Sequence, residues 1–157
     1  MFGPHHVRRG EATDDHLMGV RSMNPTPVQI RRAAPAKFVA TNARGAEITI
    51  GRSQDGADFS PVELLMAALG ACATLSADSI VTRRLGEDAP LDMVVTAEKD
   101  EEADRVTSVD TKFDIDASSL SEAEQAKLIK LVAKAVELTC TVSHSVEPGT
   151  PVTVTFA

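Results

Sequence analysis

The sequence predicts an α+β domain in which helices cover antiparallel strands, and three observations carry that expectation. Three short segments of alternating polarity follow one another between residues 28 and 51, a long apolar helix opens at Ser60, and two strands, a second helix and a last strand come after it. A chain of 157 residues is long enough for one real core, so one functional site is expected.

Residues 1 to about 26 mix charge, Gly and Pro without a helical or strand period and read as a poorly ordered tail, leaving a domain at 27–157. The first strands are expected at Val28 to Arg32, Lys37 to Thr41 and Glu47 to Gly51, parted by Pro35 and by the turn signal Asn42 to Gly45. They form a meander. Ser60 is then a good N-cap, Pro61 suits the first helical position, and Glu63 completes a capping box. From Leu64 to Leu75 the helix is apolar on nearly every side and rich in Ala and Gly, so it is expected to be buried and closely approached before it ends ahead of Gly86. Strands at Leu91 to Lys99 and Arg105 to Ile115 flank the acidic turn Asp100 to Asp104. A second capping box, Ser121 to Glu124, opens a helix whose apolar face is Leu128, Leu131, Val132, Ala135 and Val136, with Lys127, Lys130 and Lys134 on the solvated side. A last strand is expected at Pro151 to Phe156.

With 16 Lys and Arg against 23 Asp and Glu, the net charge of -7 opposes binding to nucleic acid or to an anionic membrane. There is no Trp or Tyr and only five Phe, so platforms for stacking bases are also scarce. No apolar run reads as a membrane span, and the charged N-terminal segment is not a signal peptide, which makes the expected location cytoplasmic.

Two cysteines in a cytosolic chain are not a structural staple, since that compartment keeps ordinary thiols reduced. Cys72 and Cys140 are therefore either small buried hydrophobes or a redox pair, and composition leaves both readings open. Cys72 lies in the third turn of the central helix, beyond the reach of the N-terminal dipole, so a reactive thiolate there needs a nearby cation. Arg52, just before that helix, is the first candidate. If Thr139 caps a new short helix, Cys140 falls in its first turn and is favoured as a thiolate.

The stretch Pro61 Val62 Glu63 Leu64 Leu65 Met66 Ala67 Ala68 Leu69 Gly70 Ala71 Cys72 resembles the central-helix motif of the OsmC/Ohr family. The run Cys140 Thr141 Val142 Ser143 is similar to that family's second-cysteine motif, usually Cys Pro Val Ser, and the resemblance extends over about residues 27 to 157. It implies an OsmC-like fold of antiparallel sheets, a long buried central helix and a second helix, assembled as an intertwined homodimer with its sites at the subunit interface. It also implies a thiol-dependent peroxidase for oxidative-stress defence, in which Cys72 attacks an organic hydroperoxide and Cys140 resolves the sulfenic acid as a disulfide that a thiol or lipoyl-type dithiol reduces. By the same resemblance Arg52 activates Cys72, with Arg44 and Arg31 as rivals because one branch of the family draws its arginine from an earlier hairpin, and Glu63, one residue beyond the usual place of the acid that orients the arginine, is the fourth candidate site residue. Family peroxidases place that acid directly after the Pro, where this chain has Val62, and Thr141 stands where Pro usually follows the second cysteine. These departures motivate an alternative, an OsmC-like protein with weak or no peroxidase activity that binds a small apolar or thiol-reactive ligand at the dimer interface. No cofactor is implied. His144 follows Cys140 at helical spacing, but no second ligand pair accompanies it, so no metal site is expected.

Overall fold

The computed structural model of the protein describes residues 25–149. Nearly all of the expected N-terminal tail and the whole of the expected last strand lie outside them. Strands β1 (Gln29–Ala34), β2 (Lys37–Thr41) and β3 (Glu47–Gly51) form an antiparallel three-stranded sheet in that order. The β2 to β3 connection turns on Asn42, whose side-chain oxygen accepts the N–H groups of Arg44 and Ala46 at 2.9 and 3.2 Å. Pairing of Ile30 with Ala40 and of Phe38 with Ile50 puts these residues, with Ile48, on one apolar face of the sheet. All of β1 is exposed, and the buried residues of the meander are Val39 and Ala40 on β2.

Helix α1 (Pro61–Leu85) begins as its sequence dictates. Ser60 accepts the Glu63 N–H at 3.3 Å, and the Glu63 carboxylate accepts the Ser60 N–H at 2.7 Å, closing the capping box. Gly86 ends the helix by donating its N–H to the Thr82 carbonyl at 2.9 Å, with Arg83 and Arg84 beside the negative end of the dipole. Strands β4 (Asp92–Asp100) and β5 (Arg105–Asp114) form a separate antiparallel hairpin. Its turn is held by Asp100, whose carboxylate accepts the N–H groups of Glu102 and Ala103. Helix α2 (Glu122–Thr139) opens where Glu124 accepts both the N–H and the hydroxyl of Ser121, and the six-residue helix α3 (Thr141–Val146) follows it.

The core lies between the second half of α1 and α2, where Ala77 and Val81 meet Leu128 and Val132, with Phe113 and Ile115 packed beside them. Leu131, expected on the apolar face of α2, is instead exposed. Farther up α1, Gly70 sits against β4. A Cβ added there would stand 2.7 Å from Val95 Cγ2, so the missing side chain is what lets the strand approach. Alanine ordinarily stabilises a helix interior relative to glycine, but overpacking here reverses the sign. Gly70→Ala is expected to lower stability by about 1–2 kcal/mol, read from the urea midpoint; a raised midpoint would show that β4 yields freely.

Two expectations need correcting. The central helix is not buried on every side: only Leu69, Gly70, Ala73, Ala77 and Val81 are, a stripe at helical spacing that faces β4 and α2. Ala67, Ala68, Ala71 and Leu75 are exposed, Leu75 at 77%. The β4–β5 hairpin and α2 account for one side of α1, and among the described residues nothing covers the other. The helix is also 25 residues long and, by length and composition, apolar enough to cross a membrane, contrary to the reading that no such run exists. Its Leu69 to Val81 stripe is packed against β4 and α2.

Candidate functional site

The site is built where α1 passes the junction of α2 and α3. Cys140 is the hinge between the last two helices: its backbone, at φ -75 and ψ 90, leaves the helical region after α2, and its N–H still reaches the Val136 carbonyl at 3.0 Å. The kink turns its side chain inward, where it is fully buried. Cys140 itself, rather than Thr139, occupies the N-cap position of α3, and the Thr139 hydroxyl is used on the Ala135 carbonyl at 2.8 Å. His144 fastens α3 to α2 by donating from Nε2 to the Glu137 carbonyl at 2.7 Å.

Cys72, half-buried in the middle of α1, comes from the other side. Its thiol lies close enough to Cys140 to help lower that thiol, so folding brings together two residues that lie far apart in sequence. Both are free thiols in this structure. Burial pushes the Cys140 thiol up, but the net shift is down from its ordinary value. The opposing causes are the Ser143 hydroxyl and backbone N–H, then the Cys72 thiol and the Val142 N–H. Ser143 Oγ donates to Cys140 Sγ at 3.2 Å. The sequence places Ser143 in the second-cysteine motif without a role of its own, although its spacing from Cys140 repeats the N-cap to N3 spacing of Ser60 with Glu63 and Ser121 with Glu124.

Arg52 stands elsewhere. Its Nε pairs with Asp55 Oδ2 at 3.4 Å, and its side chain is 69% exposed, so the pair itself adds little stability. It lines an open cleft of about 480 Å³ with Phe38 and Ile50 from the apolar face of the meander and with Ser60 and Pro61 at the start of α1. Neither cysteine lines this cleft. Of the rivals, Arg31 is bound to Glu47 at 3.0 Å, and Arg44 lies in the Asn42 turn. Glu63 is committed to its capping box, and its carboxyl is held below the ordinary range by the Ser60 N–H and then the Ser60 hydroxyl. Val62, at the position of the family acid, is 40% exposed. The sulfur pair thus lies inside the fold, and the cleft lined by Arg52 lies apart from it on the surface.

A family model described as OsmC-like protein matches residues 54–155. An uncharacterized protein of Mycobacterium tuberculosis is 32% identical over 127 residues, covering 81% of this chain and 93% of the relative. Among solved structures, a hypothetical protein from Aquifex aeolicus superposes with a TM-score of 0.62 at 20% identity, covering 82% of this chain and 91% of that one. The organic hydroperoxide resistance protein OhrB of Bacillus subtilis superposes with a TM-score of 0.53 at 21% identity, covering 78% of this chain and 90% of that one. At these identities the two structures establish a likeness of fold.

Proposed function

The chain belongs to the OsmC-like protein family, and on that footing we propose that it is a cytoplasmic, homodimeric thiol peroxidase that reduces organic hydroperoxides at the expense of a thiol or lipoyl-type dithiol. The observation that carries this reading is the proximity of Cys72 and Cys140 where α1 packs on α2 and α3. Cys72 Sγ, as thiolate, attacks the terminal peroxide oxygen; the O–O bond breaks, the alkoxide leaves and takes a proton to become the alcohol, and Cys72 becomes a sulfenic acid. Cys140 Sγ then attacks the Cys72 sulfur, hydroxide leaves as water after taking a proton, and the disulfide closes.

Arg52 is the cation that favours the Cys72 thiolate, and its cleft, with Phe38 and Ile50 at hand, suits the apolar part of an organic hydroperoxide. Because that cleft includes neither cysteine, Arg52 serves the Cys72 of a second copy, brought over by docking along the exposed Ala68, Ala71 and Leu75 stripe. Glu63 is a positioning residue that acts through Ser60, a residue of the cleft lining. A glutamine in its place still completes a capping box, so Glu63→Gln is expected to keep turnover within about threefold of the parent and stability within about 0.5 kcal/mol. A fall in kcat of a hundredfold with the fold intact would make Glu63 the acid that orients Arg52.

The test is consumption of cumene hydroperoxide against hydrogen peroxide with dihydrolipoamide as reductant. Preference for the organic substrate supports the proposal, and no turnover of either sinks it. Val62 in the place of the family acid favours one competing reading, a protein with weak or no peroxidase activity that binds a small apolar or thiol-reactive ligand at the dimer interface. That reading predicts ligand affinity unchanged in Cys72→Ser.

A further inference from the structure

The two sulfurs of the pair are held unequally. Cys140 is fully buried, whereas Cys72 is partly open to solvent. Cys140 Sγ also receives a hydroxyl hydrogen from Ser143, 3.2 Å away. Cys72 has no such donor from its own helix: the Thr74 hydroxyl is spent on the Gly70 carbonyl and the Ser76 hydroxyl on the Cys72 carbonyl, both at 2.9 Å. A thiolate formed in a buried place is costly unless donors face it, and within one chain Cys140 is the sulfur that has a hydroxyl donor for that charge.

We propose that Ser143 is a positioning residue that makes Cys140 the leaving sulfur when the Cys72–Cys140 disulfide is reduced, so that the external dithiol attacks Cys72 and no other sulfur. The inference rests on the reading of the cysteines as a redox couple and gives the reductive half of the cycle a direction. One thiolate of the dithiol attacks Cys72 Sγ, the Cys72–Cys140 bond breaks, and its electron pair stays on Cys140 Sγ under the Ser143 hydroxyl. A mixed disulfide between Cys72 and the reductant remains. The second thiolate attacks the reductant-side sulfur of that bond; Cys72 leaves and takes a proton from solvent, and the reductant departs as its cyclic disulfide. Two electrons pass from dithiol to protein. The Cys140 thiol is held below its ordinary value, the direction that makes a sulfur leave faster.

The experiment uses the full chain oxidised with diamide, so that no hydroperoxide is needed. Reaction with glutathione is stopped with acid, and peptide mass spectrometry locates the adduct. Adduct on Cys72 is expected to exceed adduct on Cys140 at least about tenfold. In Ser143→Ala, reduction by dihydrolipoamide should slow by about tenfold and its pH profile should move to higher pH, while Ser143→Thr, which keeps the hydroxyl, restores the parent rate. Equal adducts, adduct chiefly on Cys140, or a Ser143→Ala rate equal to the parent would overturn the proposal. Failure of diamide to close the disulfide would overturn both this proposal and the redox-couple reading. A disulfide that forms and is reduced through Cys72, in a protein that consumes no hydroperoxide, supports the proposal and overturns the peroxidase reading alone.

Discussion

Cys72→Ser is expected to reduce hydroperoxide turnover by a factor on the order of a thousand or more, with little change in stability. Cys72 is half-buried beside Cys140 Sγ, and serine keeps the size and a donor for that contact, so the fold has little to lose. What disappears is the nucleophile, because a hydroxyl is not ionised at neutral pH and does not form a sulfenic acid. Cys140→Ser has a different signature. The first attack at Cys72 proceeds, the sulfenic acid has no thiol to condense with, and a single turnover should leave a species trapped by dimedone on Cys72. Multiple turnovers in Cys72→Ser would remove the mechanism, and an inert Cys72 in Cys140→Ser would reverse the two roles.

The pH dependence follows from the direction of the Cys140 shift. A thiol held below its ordinary value is thiolate in the folded chain over a window where the unfolded chain still binds the proton. Its contribution to stability is therefore fully present above the ordinary thiol value and is lost as pH falls through the lowered one. Absorbance of thiolate at 240 nm in Cys72→Ser should rise with a midpoint below that of a free cysteine, and Ser143→Ala should move the midpoint back up.

Much of this fold could be read from local chemistry. Ser60 and Glu63, Gly86, and Ser121 and Glu124 mark helix ends that the structure reproduces, because a cap is decided by the few residues that make it. The five described strands agree with the alternating segments to within about two residues, for the same reason of short range. The meeting of Cys72 with Cys140 has no local signal. It depends on Ala77 and Val81 packing against Leu128 and Val132, which sets α1 across the α2 to α3 hinge. Nor did composition reveal which side of α1 is covered, since leucine and alanine surround that helix and the choice is made by β4 and α2. The Ser143 contact does have a local signal, the N-cap to N3 spacing shared by Ser60 with Glu63 and Ser121 with Glu124, but a cysteine at the cap position disguises it.

Leu75→Asp is expected to convert the protein to a monomer and to abolish hydroperoxide turnover while leaving the Cys72–Cys140 couple intact. Leu75 is 77% exposed and lies in line with Ala68 and Ala71, so aspartate there is well solvated in one chain and does not disturb its fold. In a two-fold dimer the substitution acts twice. Each interface loses roughly 1.5–3 kcal/mol per leucine and must desolvate a carboxylate in its place, which together weakens association by about a thousandfold or more. Size-exclusion chromatography at micromolar protein reads the first effect. The second follows from where the groups stand: Arg52 belongs to a cleft without either cysteine, whereas the two sulfurs meet inside one chain. A monomer should therefore still close the disulfide with diamide but lack the guanidinium that prepares Cys72 for peroxide. A monomeric variant with undiminished turnover would place the activating arginine in the same chain as the cysteine, whereas a variant that stays dimeric would move the interface off this stripe. Only if association and turnover are lost together, with the disulfide retained, is Arg52 drawn from a second copy and the complete site a property of the pair of chains.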